Sequence, residues 1–199
     1  MPKVVPSYRE EAKGRIVESA LQVFSEKGYH ESTMEDVAKK VGVSKGALYL
    51  YFKSKEDLFN EICRADLASL GEALRDSFQG GDFLESSKRF FERTSESPQN
   101  LGFRIEAFAE MGRNPTIRKI LLENNRRALA LVMTFLEERE KEGRHPGQKV
   151  NLRSLARALT ALYDGLNVHL VLGVDKSELR DAWTESIKVI FSASAKADK

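Results

Sequence analysis

Lys45, Gly46, Ala47, Tyr49 and Tyr51 fall within one seven-residue stretch, and their types suit contact with a nucleic-acid groove. A lysine ammonium reaches a guanine edge or a phosphate oxygen, and tyrosine hydroxyls donate to phosphate oxygens. Glycine and alanine keep a helix slim where it meets base edges. Gly46 carries a cost, since glycine lowers helix stability by roughly 1 kcal/mol against alanine. Its place at the second helical position points to close approach from outside the chain. From Lys39 to Lys55 stand the lysines 39, 40, 45, 53 and 55, with no acid among them. Such a run is either a solvated face or an electrostatic footprint for phosphate.

The elements that must hold these residues favour the footprint. Met34, Val37, Ala38 and Val41 follow the i, i+3, i+4, i+7 spacing of a helix with one buried face. Two capping boxes compete for its start, Ser32 with Glu35 and Thr33 with Asp36. Gly42-Val43-Ser44 makes a tight turn, and Ser44 caps the next helix. Val43 and Leu48 form a hydrophobic staple there, and Leu48 and Phe52, four apart, point inward. Lys45, Gly46, Ala47, Tyr49 and Tyr51 are left facing outward. Residues 33–52 therefore read as a helix-turn-helix. A helix from Ser7 or Arg9 to Lys27 precedes it, with Ile16, Val17, Ala20, Leu21 and Phe24 as its apolar stripe. Lys13 and Arg15 in that helix either touch a DNA backbone or stay solvated.

Ser54 caps a fourth helix, with Asp57 at the box position. Lys55 lies in its first turn, the wrong end of the macrodipole for a cation. That placement points to another use, a phosphate contact. The helix runs through Leu58, Ile62, Leu70 and Leu74 to Phe78, about 25 residues and nearly 40 Å at 1.5 Å each. Gly80-Gly81 breaks the chain. Further helices are expected over 82–95, 101–112, 115–143, 151–173 and 177–195, punctuated by Pro98, Asn114-Pro115 and His145-Pro146-Gly147. No strand alternation and no repeat is visible. The fold class is all-α: an N-terminal helix-turn-helix domain (1–55), a connecting helix (56–80) and a helical C-terminal domain (81–199), for which ligand binding and dimerisation are what the family resemblance given below implies.

Two features of the C-terminal part carry alternative readings. Phe83, Phe90, Phe91, Phe103, Ile105, Phe108, Met111, Met133 and Phe135 crowd the middle helices. They form either plain core or, with Tyr163 and Asn167, the wall of an effector pocket. The last two helices are apolar on broad faces, Leu155, Leu159, Leu162, Tyr163, Leu166 and Leu170 on one, Leu179, Trp183, Ile187 and Ile190 on the other. Paired with a second copy they would make a four-helix bundle across a two-fold axis. Asp164, Asn167 and His169 are polar residues in that setting and need partners, across the dimer or on a ligand.

Net charge is only +2, which excludes a globally basic binder and makes the local run informative. Cys63 is the only cysteine, so neither a disulfide within the chain nor a cysteine metal cluster is expected. No apolar run approaches the roughly 20 residues of a membrane span, and MPKVVPSYREE lacks a secretory apolar region. A cytoplasmic protein without membrane contact is expected. His30, His145 and His169 lack zinc spacing, and no Ser-His-Asp signature, phosphate loop or dinucleotide fingerprint occurs. No cofactor, metal or enzymatic activity is expected.

Thr33, Val37-Ala38, Gly42-Val43-Ser44, Gly46-x-Leu48-Tyr49-x-Tyr51-Phe52 and Ser54-Lys55-Glu56-x-Leu58 resemble the N-terminal domain of the TetR/AcrR family of transcriptional regulators. The resemblance covers roughly the first third of the chain (a family domain of about 10–70). It implies phosphate contacts by Thr33, Ser44, Tyr49 and Lys55, with Lys45, Gly46 and Tyr51 at or near the groove. It implies a homodimer on a near-palindromic operator, whose two recognition helices enter grooves about 34–36 Å apart or a multiple. Repression released by a small hydrophobic effector follows. Gly28-Tyr29-His30 and Tyr49-Leu50-Tyr51-Phe52-Lys53 are similar to fatty-acid-metabolism repressors of the family, which suggests a fatty acyl-CoA. Arg104, Arg118, Arg126 and Arg127 are candidates for CoA phosphates or ordinary exposed arginines. A cationic ligand is the rival and would want buried acids such as Asp164 or Glu106. A ligand-independent architectural or nucleoid-associated DNA binder is the alternative function. It expects a filled C-terminal core.

Overall fold

A computed structural model of the chain describes residues 6–95, 98–141 and 151–192. The described residues form helices α1 (Pro6–Lys27), α2 (Met34–Val41), α3 (Lys45–Tyr49), α4 (Lys55–Ser77), α5 (Phe83–Thr94), α6 (Pro98–Met111), α7 (Pro115–Lys141), α8 (Leu152–Val171) and α9 (Lys176–Ser192). The expected punctuation at His145-Pro146-Gly147 lies outside the described residues. So do the expected helix ends near Gly143 and Ala195.

Two compact units divide the chain. One holds the described residues up to 66 together with 102–122, and the other holds the described residues of 67–101 and from 123 onward. The first unit is built on α1, whose Ile16, Ala20, Val23 and Phe24 are buried. α1 packs on α2, and α2 on α3. Gly28 ends α1 and Gly42 caps α2, both at positive φ (81° and 82°), where a side chain would strain the backbone. Tyr29 turns straight into the core, its ring edge-on to Phe24 and Phe59 at 5.2 Å each. Phe103 from α6 completes the cluster, 5.0 Å from Phe59. Phe103 is therefore core of this unit and not pocket wall, which corrects its assignment above. Chain order suggested the C-terminal region, but α6 residues 102–111 pack with the N-terminal helices. Phe108 and Met111, on the same helix, are exposed and do not line the apolar cavity of the second unit.

Half-buried Cys63 sits in this unit, and burial pushes its thiol up to about 12, so thiolate chemistry near neutral pH is suppressed. Arg104 donates to Asp66 at 2.9 Å, an ion pair within this unit.

The second unit gathers its core from the far half of α4 (Ala73, Leu74), Phe78 just past its end, α5 (Phe90, Phe91), α7 (Leu129, Leu136), α8 and α9. α5 and α8 both pack on α9. Trp183 anchors this unit. Its ring stacks on Phe91 at 5.7 Å, and its Nε1–H donates to the Ser87 carbonyl and Oγ at 3.0 Å. Leu155, Leu159, Leu179, Trp183 and Ile187 are each 9% exposed or less within the single chain. They serve this core and cannot form a surface for a second copy, which corrects five of the eight dimer residues expected. Both helices carry apolar residues around much of their circumference, and periodicity alone does not say which side faces inward. Leu162, Leu166 and Ile190 are half-buried against the same core. No helix among the described residues is long and apolar enough to cross a membrane.

Candidate nucleic-acid interface and effector cavity

The turn between α2 and α3 is set by paired caps. Thr33 wins the first: its Oγ1 accepts from the Asp36 N–H at 3.1 Å, and Asp36 Oδ2 accepts from the Thr33 N–H at 2.8 Å and hydroxyl at 2.6 Å. Lys27 adds an ion pair to the same oxygen at 2.9 Å. The Thr33 hydroxyl, then the Lys27 ammonium, hold the Asp36 carboxyl far below the ordinary carboxylate range. Ser32, the competing cap, instead turns its hydroxyl to the Gly28 and Val23 carbonyls and is buried. Ser44 Oγ accepts from the Ala47 N–H at 3.1 Å and starts α3. Leu48 and Phe52 are buried beneath the turn, and Gly46, Lys45 and Tyr49 are exposed above it. Tyr51 is half-buried against the core, so only part of its ring is offered outward.

The lysines divide into two sets. Lys13 pairs with Glu61, Lys39 with Glu35 and Lys40 with Glu26, at 2.7, 3.1 and 3.4 Å. Such surface pairs contribute about 0–1 kcal/mol each and exchange readily for phosphate. Lys45 and Lys53 are exposed and make no side-chain hydrogen bond or ion pair among the described residues. Lys39, and to a lesser degree Lys45, hold the Glu35 carboxyl below its usual value. Lys53 was part of the basic run but not singled out; its exposure was not readable from spacing.

Lys55 departs from its expected role. Its Nζ donates to the carbonyls of Tyr29 (2.7 Å), Ser32 (2.9 Å) and His30 (3.2 Å), and lies 4.3 Å from the Tyr29 ring centroid. All three ammonium protons are engaged, which leaves none for a phosphate. The cation opposes its own helix dipole because it ties down the loop between α1 and α2. Burial lowers the Lys55 pKa, partly countered by Glu56 and Glu110.

The second unit holds an apolar cavity of about 80 Å³. Phe83, Phe90, Phe135 and Tyr163 of the expected pocket line it, as do Leu159, Trp183 and Ile187 of the expected dimer face. Met133 packs against the core without reaching the cavity. Asn167 is buried one turn beyond Tyr163 and donates to the Tyr163 carbonyl at 2.8 Å; it does not line the cavity either. Leu70 and Leu74 of α4, Phe78 just past its end, Leu131, Val132 and Leu136 of α7 and Phe191 of α9 add to the wall. The i, i+4, i+8 spacing of Leu70, Leu74 and Phe78 is legible as a stripe, but not what it faces. No lining residue is ionisable at neutral pH. The lining hydroxyl of Thr160 donates to the Ala156 carbonyl, and that of Ser87 receives the Trp183 N–H.

An apolar-cored helix-turn-helix unit with outward lysines, followed by an all-helical unit, defines the class: a helix-turn-helix DNA-binding protein. Residues 16–62 match the family model "Bacterial regulatory proteins, tetR family", and residues 79–190 match "Tetracyclin repressor-like, C-terminal domain". The chain belongs to the TetR family, whose members are non-catalytic DNA-binding regulators of transcription. It is 39% identical over 66 residues to the HTH-type transcriptional regulator YfiR of Bacillus subtilis (strain 168), a match covering 33% of this chain and 32% of that protein. It is 34% identical over 65 residues to the fatty acid metabolism regulator protein of the same organism, covering 33% and 34%. The match thus spans about a third of each of these two relatives. Salmonella enterica GusR superposes with a TM-score of 0.77 at 22% identity, over 98% of this chain and 100% of that one, which shows the shared fold.

Proposed function

We propose that the chain is a homodimeric, cytoplasmic transcriptional repressor that leaves a near-palindromic operator when a hydrophobic effector enters the second unit. The observation that carries this reading is the structure of α4. One continuous helix places Leu58 and Phe59 in the core under the helix-turn-helix and Leu70 and Leu74 in the cavity wall. A ligand that parts the wall acts on the same helix that seats the recognition element. Coupling of about 1–3 kcal/mol would weaken operator binding some 5- to 150-fold.

Lys45, Lys53, Tyr49 and Gly46 make the DNA face, with Ser44 and Thr33 fixing its geometry. The hydroxyls of Ser44 and Tyr51 can donate to phosphate oxygens, whereas the Thr33 hydroxyl already donates to Asp36. The dimer reading is supported by the outer face of α8. Ala158, Ala161 and Gly165 are exposed there, flanked by half-buried Leu162 and Leu166. A Cβ built at Gly165 meets nothing within 4 Å. Small residues in that order let a second helix approach closely.

The effector is read as neutral where it enters, since a charge in this wall would be desolvated without a partner. A fatty-acyl chain fits that wall, with the CoA of an acyl-CoA held outside it. The fatty acid metabolism regulator among the relatives lends support. One observation favours the alternative, a ligand-independent architectural DNA binder. At about 80 Å³ the cavity is well below the roughly 300 Å³ where ligand pockets usually begin, so an effector must open it. Trp183 is the only tryptophan of the chain and lines the cavity, so its fluorescence reports occupancy. Titration with palmitoyl-CoA is expected to change that fluorescence and release a duplex chosen by in vitro selection, while free CoA does neither. Unchanged fluorescence and unchanged DNA binding with palmitoyl-CoA and with free palmitate would favour the architectural reading.

A further inference from the structure

Leu50 has no structural role that the chain's own packing explains. It is 77% exposed, more than any other large apolar side chain among the described residues, and it belongs to neither core cluster. It caps α3 with φ −71° and ψ −22°, so the helical path continues through it. At 3.6 residues per turn, Leu50 lies about 200° around the axis from Leu48. Leu48 is fully buried, so Leu50 points away from the core. One turn earlier on the outward side is Gly46, where an added Cβ would meet only Ser44 Oγ, at 4.0 Å. The outward ridge of the recognition element is thus bare backbone followed by a branched alkyl group. Lys45 and Lys53 stand on either side in sequence, both without ion pairs among the described residues.

We propose that Leu50 is a specificity-determining residue that packs its isobutyl group on the C5-methyl of a thymine in the major groove. This rests on the DNA-binding reading of α3. Leucine has no donor or acceptor, so it reads a base edge only by apolar contact. Among the four bases, only thymine offers a methyl group in the major groove. Cytosine in the same place would turn its N4 donor toward the alkyl group and lose water without gaining a partner. The flanking positive charge favours a polyanion as the occupant of this ridge. Gly46 permits the close approach that a methyl contact needs.

The test uses the full-length protein and a randomised duplex library. In vitro selection with the unaltered chain is expected to enrich thymine at one position in each half-site. Leu50→Ala, at an exposed position, is expected to fold normally, lose that enrichment and keep the rest of the motif. In the selected duplex, deoxyuridine in place of that thymine removes only the methyl. It should weaken the unaltered chain about fourfold, the worth of one buried methyl-sized group, and leave Leu50→Ala unaffected. An equal thymine preference in both proteins, or an equal deoxyuridine effect, overturns the proposal. So does a loss of self-association in Leu50→Ala with base preference intact, which would assign Leu50 to contact between copies. If the unaltered chain enriches no motif, the DNA-binding reading falls together with this one. A motif lacking a Leu50-dependent thymine overturns this proposal alone.

Discussion

Single side chains in the first unit are fixed by hydrogen bonds that the helices cannot supply themselves. Lys55 is the strongest case, because three backbone carbonyls of the α1–α2 loop depend on one ammonium. Lys55→Met keeps the aliphatic stem and strips those bonds. It is expected to lower stability by about 1–3 kcal/mol, the cost of stranded acceptors, and circular dichroism melts would show it. Lys53→Met should leave the melt unchanged and weaken binding to all duplexes alike, since the Lys53 ammonium makes no hydrogen bond or ion pair among the described residues. Asp36 sets a pH limit. Its carboxyl is depressed in the folded state, so its contribution is complete at neutral pH. That contribution is lost as pH falls below about 4, the unfolded carboxylate value, toward the folded one. Asp36→Asn should therefore melt lower at pH 7 and show a shallower acid dependence than the unaltered chain.

The helices obey their local signals closely. Gly42 and Gly28 stop α2 and α1 at positive φ, and Thr33, Ser44, Asp82 and Asn151 start helices by accepting backbone N–H groups. α4 contains one local misfit, Gly71, inside its second half. A Cβ there would lie 3.6 Å from the Leu131 methyl carbons and Arg75 Nη1, which is ordinary contact. Gly71→Ala is expected to stabilise α4 by up to about 1 kcal/mol, read as a raised urea midpoint with unchanged slope. If stiffness in α4 carries the effector signal, the same variant should also need more effector to leave DNA. On α8 and α9 the apolar residues outnumber what one face can hold. The aromatic layer of Phe91, Tyr163 and Trp183 claims the inner side. Along the middle of α8 the residues left outside are small, Ala158, Ala161 and Gly165, while Val171 and Leu172 at its end and Val189 on α9 are also exposed.

At the scale of the molecule, regulation by spacing requires two copies. Ala161 lies at the centre of the exposed α8 face proposed for pairing. Ala161→Arg is expected to give a monomer in light scattering, with unchanged helicity. Binding to a two-half-site duplex should then fall toward that of a single half-site. A dimer that survives the substitution would move the interface elsewhere.

Sequence alone determined the helices and the helix-turn-helix, because caps, glycine stops and 3.6-residue periodicity act over a few residues and need no distant partner. The fold class, the buried roles of Leu48 and Phe52 and the outward set at Lys45, Gly46 and Tyr49 were legible for that reason. Tertiary structure decided everything that depends on which surface meets which. It took Phe103 into the first core, since α6 residues 102–111 join the N-terminal helices. It turned Trp183, Leu159 and Ile187 inward to wall a cavity where a dimer face was expected. It gave Lys55 three carbonyls instead of a phosphate. In each case the side chain's chemistry was plain in the sequence. Its partner lay 20 or more residues away along the chain, where helical periodicity carries no information.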